Sequence, residues 1–296
     1  MIEFYQIKLE CLDYLPSMPT VLNKLLEVLN DSSVSNKEIA KIVSLDSSIS
    51  AKILSIANSA IFGGIAPIRD INLAVTRLGR LDVKSIAMTL FISTMLKKFK
   101  LENIDIEYFW KHNLAVSFLA RRLSQYLKTE KAFTEEDRAV IYLAGLFHDI
   151  GYVLFDQINP DIMQLVKNKA IEQCEPFIEL EKIIIHTTHA HEGAELLKFW
   201  NLPHEIVETV RYHHEPYAAK DESIKALAKI INMADYFAHE FRIKTFQDIR
   251  YEVNFQSLWD EFEFASYNED EFIVFKNELA SQTNLFISFS ELALNL

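Results

Sequence analysis

With 296 residues, 50% of them hydrophobic, and a formal net charge of −12, the chain is long enough to bury a large core, in one big domain or two smaller ones. That acidity excludes a large sequence-independent grip on nucleic acid, because phosphate repulsion would have to be overcome by a local basic patch. Only 6 Gly and 7 Pro interrupt long stretches of i, i+3, i+4 apolar rhythm, which excludes a β-rich fold and points to an all-α protein.

The termini and cysteines set the compartment. Met1-Ile2-Glu3-Phe4-Tyr5 lacks the basic and apolar regions of a secretory signal. The longest uncharged run, Ile53 to Ile68, is broken by Gly63-Gly64 and Pro67 and is too short to span a bilayer. Cys11 and Cys174 belong to no CxxC pattern and read as reduced thiols. A cytoplasmic protein with no membrane contact is expected.

In chain order, Pro19 opens a helix through Val21, Leu22, Leu25, Leu26 and Leu29. Ser35 and Glu38 have capping-box spacing ahead of Ile39, Ile42 and Val43. Asp46 or Ser47 caps a third helix carrying Ile49, Ile53, Leu54 and Ala57, and two more follow, Ile71 to Leu78 and Leu81 to Phe99, parted by Gly79. Glu38 to Asn58 has the outline of a helix-turn-helix, but the second helix offers Ser48, Ser50, Lys52 and Ser55, with one cation and no Arg to grip guanine. Packing is the preferred reading there, and no nucleic-acid partner is expected.

Longer helices come next: Trp110 to Leu127 with His112 near its start, Arg138 to Phe147 running into His148-Asp149, and His189 to Trp200 with the small pair Gly193-Ala194. Leu202-Pro203 then starts a helix from Glu205 to His214, and Ile224 to Phe241 carries Asp235. Two further helical patterns lie around Phe255 to Phe264 and Glu269 to Ala280. The organisation is an N-terminal helical lobe over 1–100, a metal-site lobe over 101–241 and a C-terminal helical extension over 242–296. No Gly/Ser/Pro-rich linker lies between Lys97 and Tyr108, so the first lobe is expected to pack on the second.

The chemistry centres on Gly145-Leu146-Phe147-His148-Asp149-Ile150-Gly151, where an imidazole and a carboxylate stand side by side at a helix end. Adjacent helical residues point about 100° apart, so the doublet can face one ion if other helices supply the rest. His112, His148, Asp149 and Asp235 would form a four-ligand site, and His189, His213 and His214 a second, with Asp149 placed to bridge them. Imidazole with carboxylate and no nearby Cys suits a divalent Mn, Fe, Ni or Zn ion, one or two in number. His186, His191, His204 and His239 are read as core or surface histidines.

These phrases resemble the HDOD family, the HD-related output domains of bacterial signalling proteins, and more distantly the HD superfamily of metal-dependent phosphohydrolases. The resemblance rests on Leu15-Pro16 with Pro19, Asp46 before a helix, Asn58-Ser59-Ala60 with Phe62, Ala74-Val75 with Leu78-Gly79, and Trp110 before His112. Ala144-Gly145-Leu146-Phe147-His148-Asp149-Ile150-Gly151, His189 with Gly193-Ala194, Trp200-Asn201-Leu202-Pro203 and His213-His214-Glu215-Pro216 complete it. It covers about residues 15 to 240 and implies an HD-like helical bundle with a regulatory or output role exercised on a signalling-protein partner. The alternative it implies is a phosphohydrolase acting on a nucleotide or cyclic dinucleotide, with Asp149 and His148 catalytic. The HD-GYP relatives hydrolyse cyclic di-GMP, but Tyr152 stands where they carry a lysine, and Pro216-Tyr217-Ala218-Ala219 has no Gly-Tyr-Pro motif. Arg211 reads as a solvated helix residue rather than a phosphate ligand.

Overall fold

The computed structural model describes residues 24, 28, 33–58, 67–96, 99–129, 132–247, 249 and 256–294. Apart from Lys24 and Val28, the helix expected from Val21 to Leu29 lies outside these residues, as do Leu15-Pro16, Pro19, Ser59-Ala60, Phe62 and Gly63-Gly64. No strand forms among the described residues, and one isolated antiparallel bridge joins Leu127 to Phe262. The all-α expectation holds.

The chain divides into two compact units. Within Pro16–Lys98 lie α1 (Asn36–Val43), α2 (Ser47–Ala57), α3 (Ile71–Leu78) and α4 (Arg80–Leu96). Local chemistry sets their starts. Ser35 Oγ accepts the Glu38 N–H at 3.3 Å while Glu38 Oε2 accepts the Ser35 N–H at 2.9 Å, the reciprocal box read in the sequence. Asp46 takes the Ile49 N–H at 3.0 Å ahead of α2, and Asp70 takes those of Asn72 and Leu73 ahead of α3. Between α3 and α4 the chain turns at Gly79 with φ 80°, a conformation glycine adopts at little steric cost. Ile39, Val43, Ile53, Val75, Val83 and Met88 are buried in this unit.

Within Phe99–Ile287 lie α5 (Ile106–Leu123), α6 (Glu135–Phe147), α7 (Ile150–Ile158), α8 (Pro160–Gln173), α9 (Phe177–Ile184), α10 (His189–Phe199), α11 (His204–Tyr212) and α12 (Glu222–Glu240). The sequence reading assigned no element between Asp149 and Thr188, where α7, α8 and α9 are found. α13 (Gln256–Trp259) and a 3₁₀ turn, Glu263–Ser266, replace the single helix expected there, and α14 (Glu269–Leu294) runs well past Ala280. Phe264, Phe272 and Phe275 cluster around Phe237 of α12, so aromatic burial ties the C-terminal extension to the helix carrying Asp235.

Close helix contacts position the site. α5 packs on α6 and α12, and α10 on α7 and α11. A Cβ at Gly145 would come 2.7 Å from Ser117 Cα, so only glycine lets α6 lie this near α5. A Cβ at Gly151 would overlap the His189 carbonyl oxygen, and Gly193, one turn further along α10, also lies against Gly151. The small residues at 193–194 therefore do permit the close approach expected of them. The span Glu135–Ile158 is long and apolar enough to cross a bilayer, but 94% of its most apolar window is buried within the protein, as in a core helix. It is also split at His148-Asp149 into α6 and α7.

Candidate metal centre

Six helices bring the polar side chains together. His112 comes from the second turn of α5, Asp235 from the interior of α12, His189 from the first residue of α10, and His213-His214 from the end of α11. His148 closes α6 and Asp149 opens α7. An Asp in that opening position ordinarily accepts a helix N–H, yet the Asp149 side chain makes no capping bond and turns to the histidines. All seven residues singled out in the sequence meet here. Six are buried and His214 is partly exposed.

The distances fall into two groups sharing Asp149. Asp149 Oδ2 lies 3.4 Å from His112 Nε2, while Oδ1 lies 3.4 Å from His148 Nε2 and 3.5 Å from His189 Nε2. Asp235 Oδ1 is 3.2 Å from His112 Nε2 and 3.8 Å from His148 Nε2. Ligand-capable atoms of His112, His148 and Asp149 lie within 4.8 Å of one another, as do those of His189, His213 and His214.

Proton placement is dictated by partners that can only accept. His112 Nδ1 donates to the Ile243 carbonyl at 2.8 Å, His148 Nδ1 to that of Gly145 at 2.8 Å, and His213 Nδ1 to that of Val210 at 2.7 Å. Neutral imidazoles held this way direct Nε2 lone pairs inward. The His213 Nε2 atom is buried with no hydrogen-bond partner. His112 Nε2 faces His148 Nε2 at 3.2 Å, and His189 Nε2 faces His214 Nε2 at 2.9 Å. Two lone pairs cannot face each other at that range, so either a proton or a cation must lie between them. The donor set fits a borderline divalent ion of the Mn, Fe, Ni or Zn kind.

The ionisation pattern agrees. Burial opposes charge on His148, but Asp149 and then Asp235 lift it to about 9. Burial also opposes charge on His189, where Glu181 prevails and raises it. Burial, reinforced by positive charge on neighbouring histidines, pushes His213 down to about 3 and His214 well below its ordinary value. Burial works against both aspartates, yet His148, His112 and His189 hold Asp149 low. His239, His112 and His148 hold Asp235 well below the carboxylate range.

The structure adds residues the sequence reading passed over. His186, His191 and His204 are exposed, as expected, but His239 is buried with Nδ1 3.0 Å from Asp235 Oδ1. Its position four residues after Asp235 on one helix was an available signal. Glu181 is fully buried against His189, and Thr245 donates its hydroxyl to Asp149 Oδ2 at 3.2 Å. Tyr152, in the place of the lysine of the catalytic relatives, is buried and stacks on the His189 ring at 4.0 Å between centroids. Arg211 is bound to Glu195, Glu208 and His191 at 2.8, 3.1 and 2.9 Å and is only partly exposed, so it is a paired helix residue rather than the solvated one expected.

The model of the HDOD domain family matches residues 15–216. An uncharacterized protein of Treponema pallidum (strain Nichols) is 25% identical over 212 residues, 71% of this chain. The chain spans about 40% of the length of that curated relative. Among solved structures, an HDOD domain protein of unknown function from Geobacter sulfurreducens superposes with a TM-score of 0.75 at 23% identity, covering 98% of each chain. A candidate signal transduction protein from Marinobacter aquaeolei VT8 gives 0.75 at 20% identity, over 97% of this chain and 61% of that one. A candidate phosphohydrolase from Shewanella amazonensis SB2B gives 0.65 at 23% identity, over 97% and 91%. At these identities the structures speak for the fold.

Proposed function

The chain belongs to the HDOD domain family, and on that premise we propose that it is a regulatory or output protein of bacterial signal transduction, acting in the cytoplasm through contact with a protein partner. In this reading His112, His148, Asp149 and Asp235 hold one divalent ion, and His189, His213 and His214 hold a second, with Asp149 shared. A bound ion would supply the positive charge that draws the inward lone pairs and both carboxylates together. The chain's own groups do the rest: the Ile243, Gly145 and Val210 carbonyls fix three imidazoles, and the Thr245 hydroxyl steadies Asp149.

The observation that carries the regulatory reading is the lining of the cluster. Tyr152 packs its ring on His189, with Phe177 and Phe246 against its far edges, where a catalytic relative would place a cation beside the scissile phosphate. An ion there clasps helices more readily than it meets a substrate. One observation favours the alternative, a metal-dependent phosphohydrolase acting on a nucleotide or cyclic dinucleotide: Asp149 lies against both groups of histidines, with Oδ2 toward His112 and Oδ1 toward His148 and His189, as a shared carboxylate would. Asp149 and His148 would then be the catalytic residues.

Elemental analysis of protein purified without chelator, paired with assays on cyclic dinucleotides, nucleoside phosphates and generic phosphodiesters in Mn or Fe, separates the two. The expected result is retained transition metal with negligible turnover. Turnover that disappears in both Asp149→Ala and His148→Ala, with helical content unchanged, would make the phosphohydrolase the primary reading. Absence of metal under metal-replete conditions would sink the phosphohydrolase and the metal site alike, leaving a regulatory role exercised without an ion.

A further inference from the structure

Glu181 is a fully buried carboxylate, and every hydrogen bond found for it goes to one residue. Oε1 and Oε2 each lie 2.9 Å from His189 Nδ1, and Oε2 also accepts the His189 main-chain N–H at 2.9 Å. The local backbone makes this meeting possible. α9 ends in a left-handed residue, His186 with φ 64°, whose N–H returns to the Glu181 carbonyl at 3.0 Å, so the chain doubles back and sets residue 189 over residue 181. One of its bonds is helix-end chemistry, since His189 opens α10 and its N–H needs an acceptor while Thr188 takes the His191 N–H at 3.2 Å, but the two contacts to the imidazole Nδ1 are not. A carboxylate is costly to bury, and here it is spent on orienting one imidazole.

The ring is held on two sides, by Tyr152 stacked on its face and by Glu181 at Nδ1. A proton on Nδ1 leaves Nε2 pointing at His214 Nε2, 2.9 Å away, beside the unpartnered His213 Nε2. This half of the cluster is all imidazole apart from the shared Asp149, whereas the His112 half also has Asp235. Imidazole sets favour Zn, Ni, Fe or Cu over Mg, Ca or Mn.

We infer that Glu181 is the positioning residue of a separate imidazole-rich subsite, fixing His189 so that it presents Nε2, with His213 and His214, to a borderline divalent cation. The inference rests on the proposal that the cluster holds metal, and it assigns the two halves different character. The rival is a plain buried ion pair, in which His189 carries protons on both nitrogens and donates one to His214.

Titration of the metal-free full chain with Co(II), followed by its visible absorption, tests this. Wild type is expected to bind two equivalents. In Glu181→Gln the side chain still accepts a hydrogen bond but carries no charge, and one equivalent should weaken about 10- to 100-fold while the other is unchanged. His189→Ala should weaken the same equivalent, and the double variant should be no worse for it than His189→Ala alone, because Glu181 acts through that one ring. Undiminished binding of both equivalents by Glu181→Gln, or strictly additive losses, would overturn the inference. Side-chain ¹⁵N spectra of the loaded wild type give a reading that needs no variant. A proton on Nδ1 with a metal-shifted Nε2 is expected at His189, and protons on both nitrogens would favour the ion pair. A wild type that binds no Co(II) would instead overturn the metal-holding proposal on which this one stands.

Discussion

The helices of residues 36–96 and those of residues 106–240 obey the same amphipathic rule and differ in what they admit to the interior. In the first set the buried side chains are Ile39, Val43, Ile53, Val75, Val83 and others like them, and Thr89 is the one buried polar side chain among the described residues. The second set buries His112, His148, His189, His213 and His239 with Asp149, Glu181 and Asp235. Well-packed apolar residues would usually stabilise a fold at least as well as buried ionisable ones. An interior that gathers eight such groups into one cluster is shaped for a ligand, and an apolar one is shaped for the fold.

The largest expected effect tests the ligand-shaped interior. Asp149→Ala removes the carboxylate both histidine groups share and leaves neighbouring charge without its partner. Metal content should fall to background, and the loaded protein should lose about 3–5 kcal/mol of stability by urea unfolding, the range for breaking a buried pair. His191→Ala, on an exposed side chain of the same helix as His189, should keep its metal and change stability by less than about 0.5 kcal/mol. Equal metal content in the two variants would erase the distinction between the two interiors.

A second substitution tests the other side. Ile53 is fully buried in α2, and Ile53→Ala should cost about 2–5 kcal/mol through lost contacts and a residual cavity. Metal bound per folded molecule should not change. Loss of metal in proportion to stability, measured on protein verified as folded by near-ultraviolet circular dichroism, would show that the apolar unit also shapes the site.

What could be read in advance follows the same division. Caps and apolar periodicity are local properties, and Ser35 with Glu38, Asp46 and Gly79 do in the structure what their spacing implied. The convergence of the seven candidate residues was legible in part because His148-Asp149 and His213-His214 stand at helix ends, while His112 and Asp235, inside their helices, were singled out by the order His, His-Asp, Asp. The boundary between α6 and α7 was harder to see, since the apolar run from Ala139 to Ile158 continues through it and Asp149 opens α7 without capping it. Glu181 sits in Phe-Ile-Glu-Leu-Glu-Lys-Ile-Ile, where nothing distinguishes it from Glu179. Its burial depends on the left-handed turn at His186, a tertiary consequence with no glycine or asparagine to announce it.

The smallest expected effect, a pH slope, opposes the metal-free and metal-loaded forms of the cluster. His148 stands near 9 in the metal-free fold against an ordinary 6.5, so its stabilising contribution is complete below about 6.5 and is lost as pH rises toward 9. His213, held down to about 3, and His214, held well below its ordinary value, act the other way. Below about 6.5 the unfolded chain takes protons that these two refuse in the fold, so acid destabilises. With Asp149 and Asp235 held low and therefore charged throughout this range, the metal-free protein should be most stable near pH 6.5. On the alkaline side it should lose up to about 1.4 kcal/mol per pH unit for each proton involved, that of His148 and that of His189, which Glu181 also raises. An ion at His112 and His148 needs the His148 proton gone, so binding tightens over the same window and the loaded protein should gain stability. Urea unfolding at pH 6, 7, 8 and 8.5, with excess chelator or excess Zn, measures both slopes. Ile53→Ala should lower the two curves together, because it acts on an interior where nothing titrates. Parallel slopes in the wild type would mean that proton and ion do not compete for the His112–His148 gap.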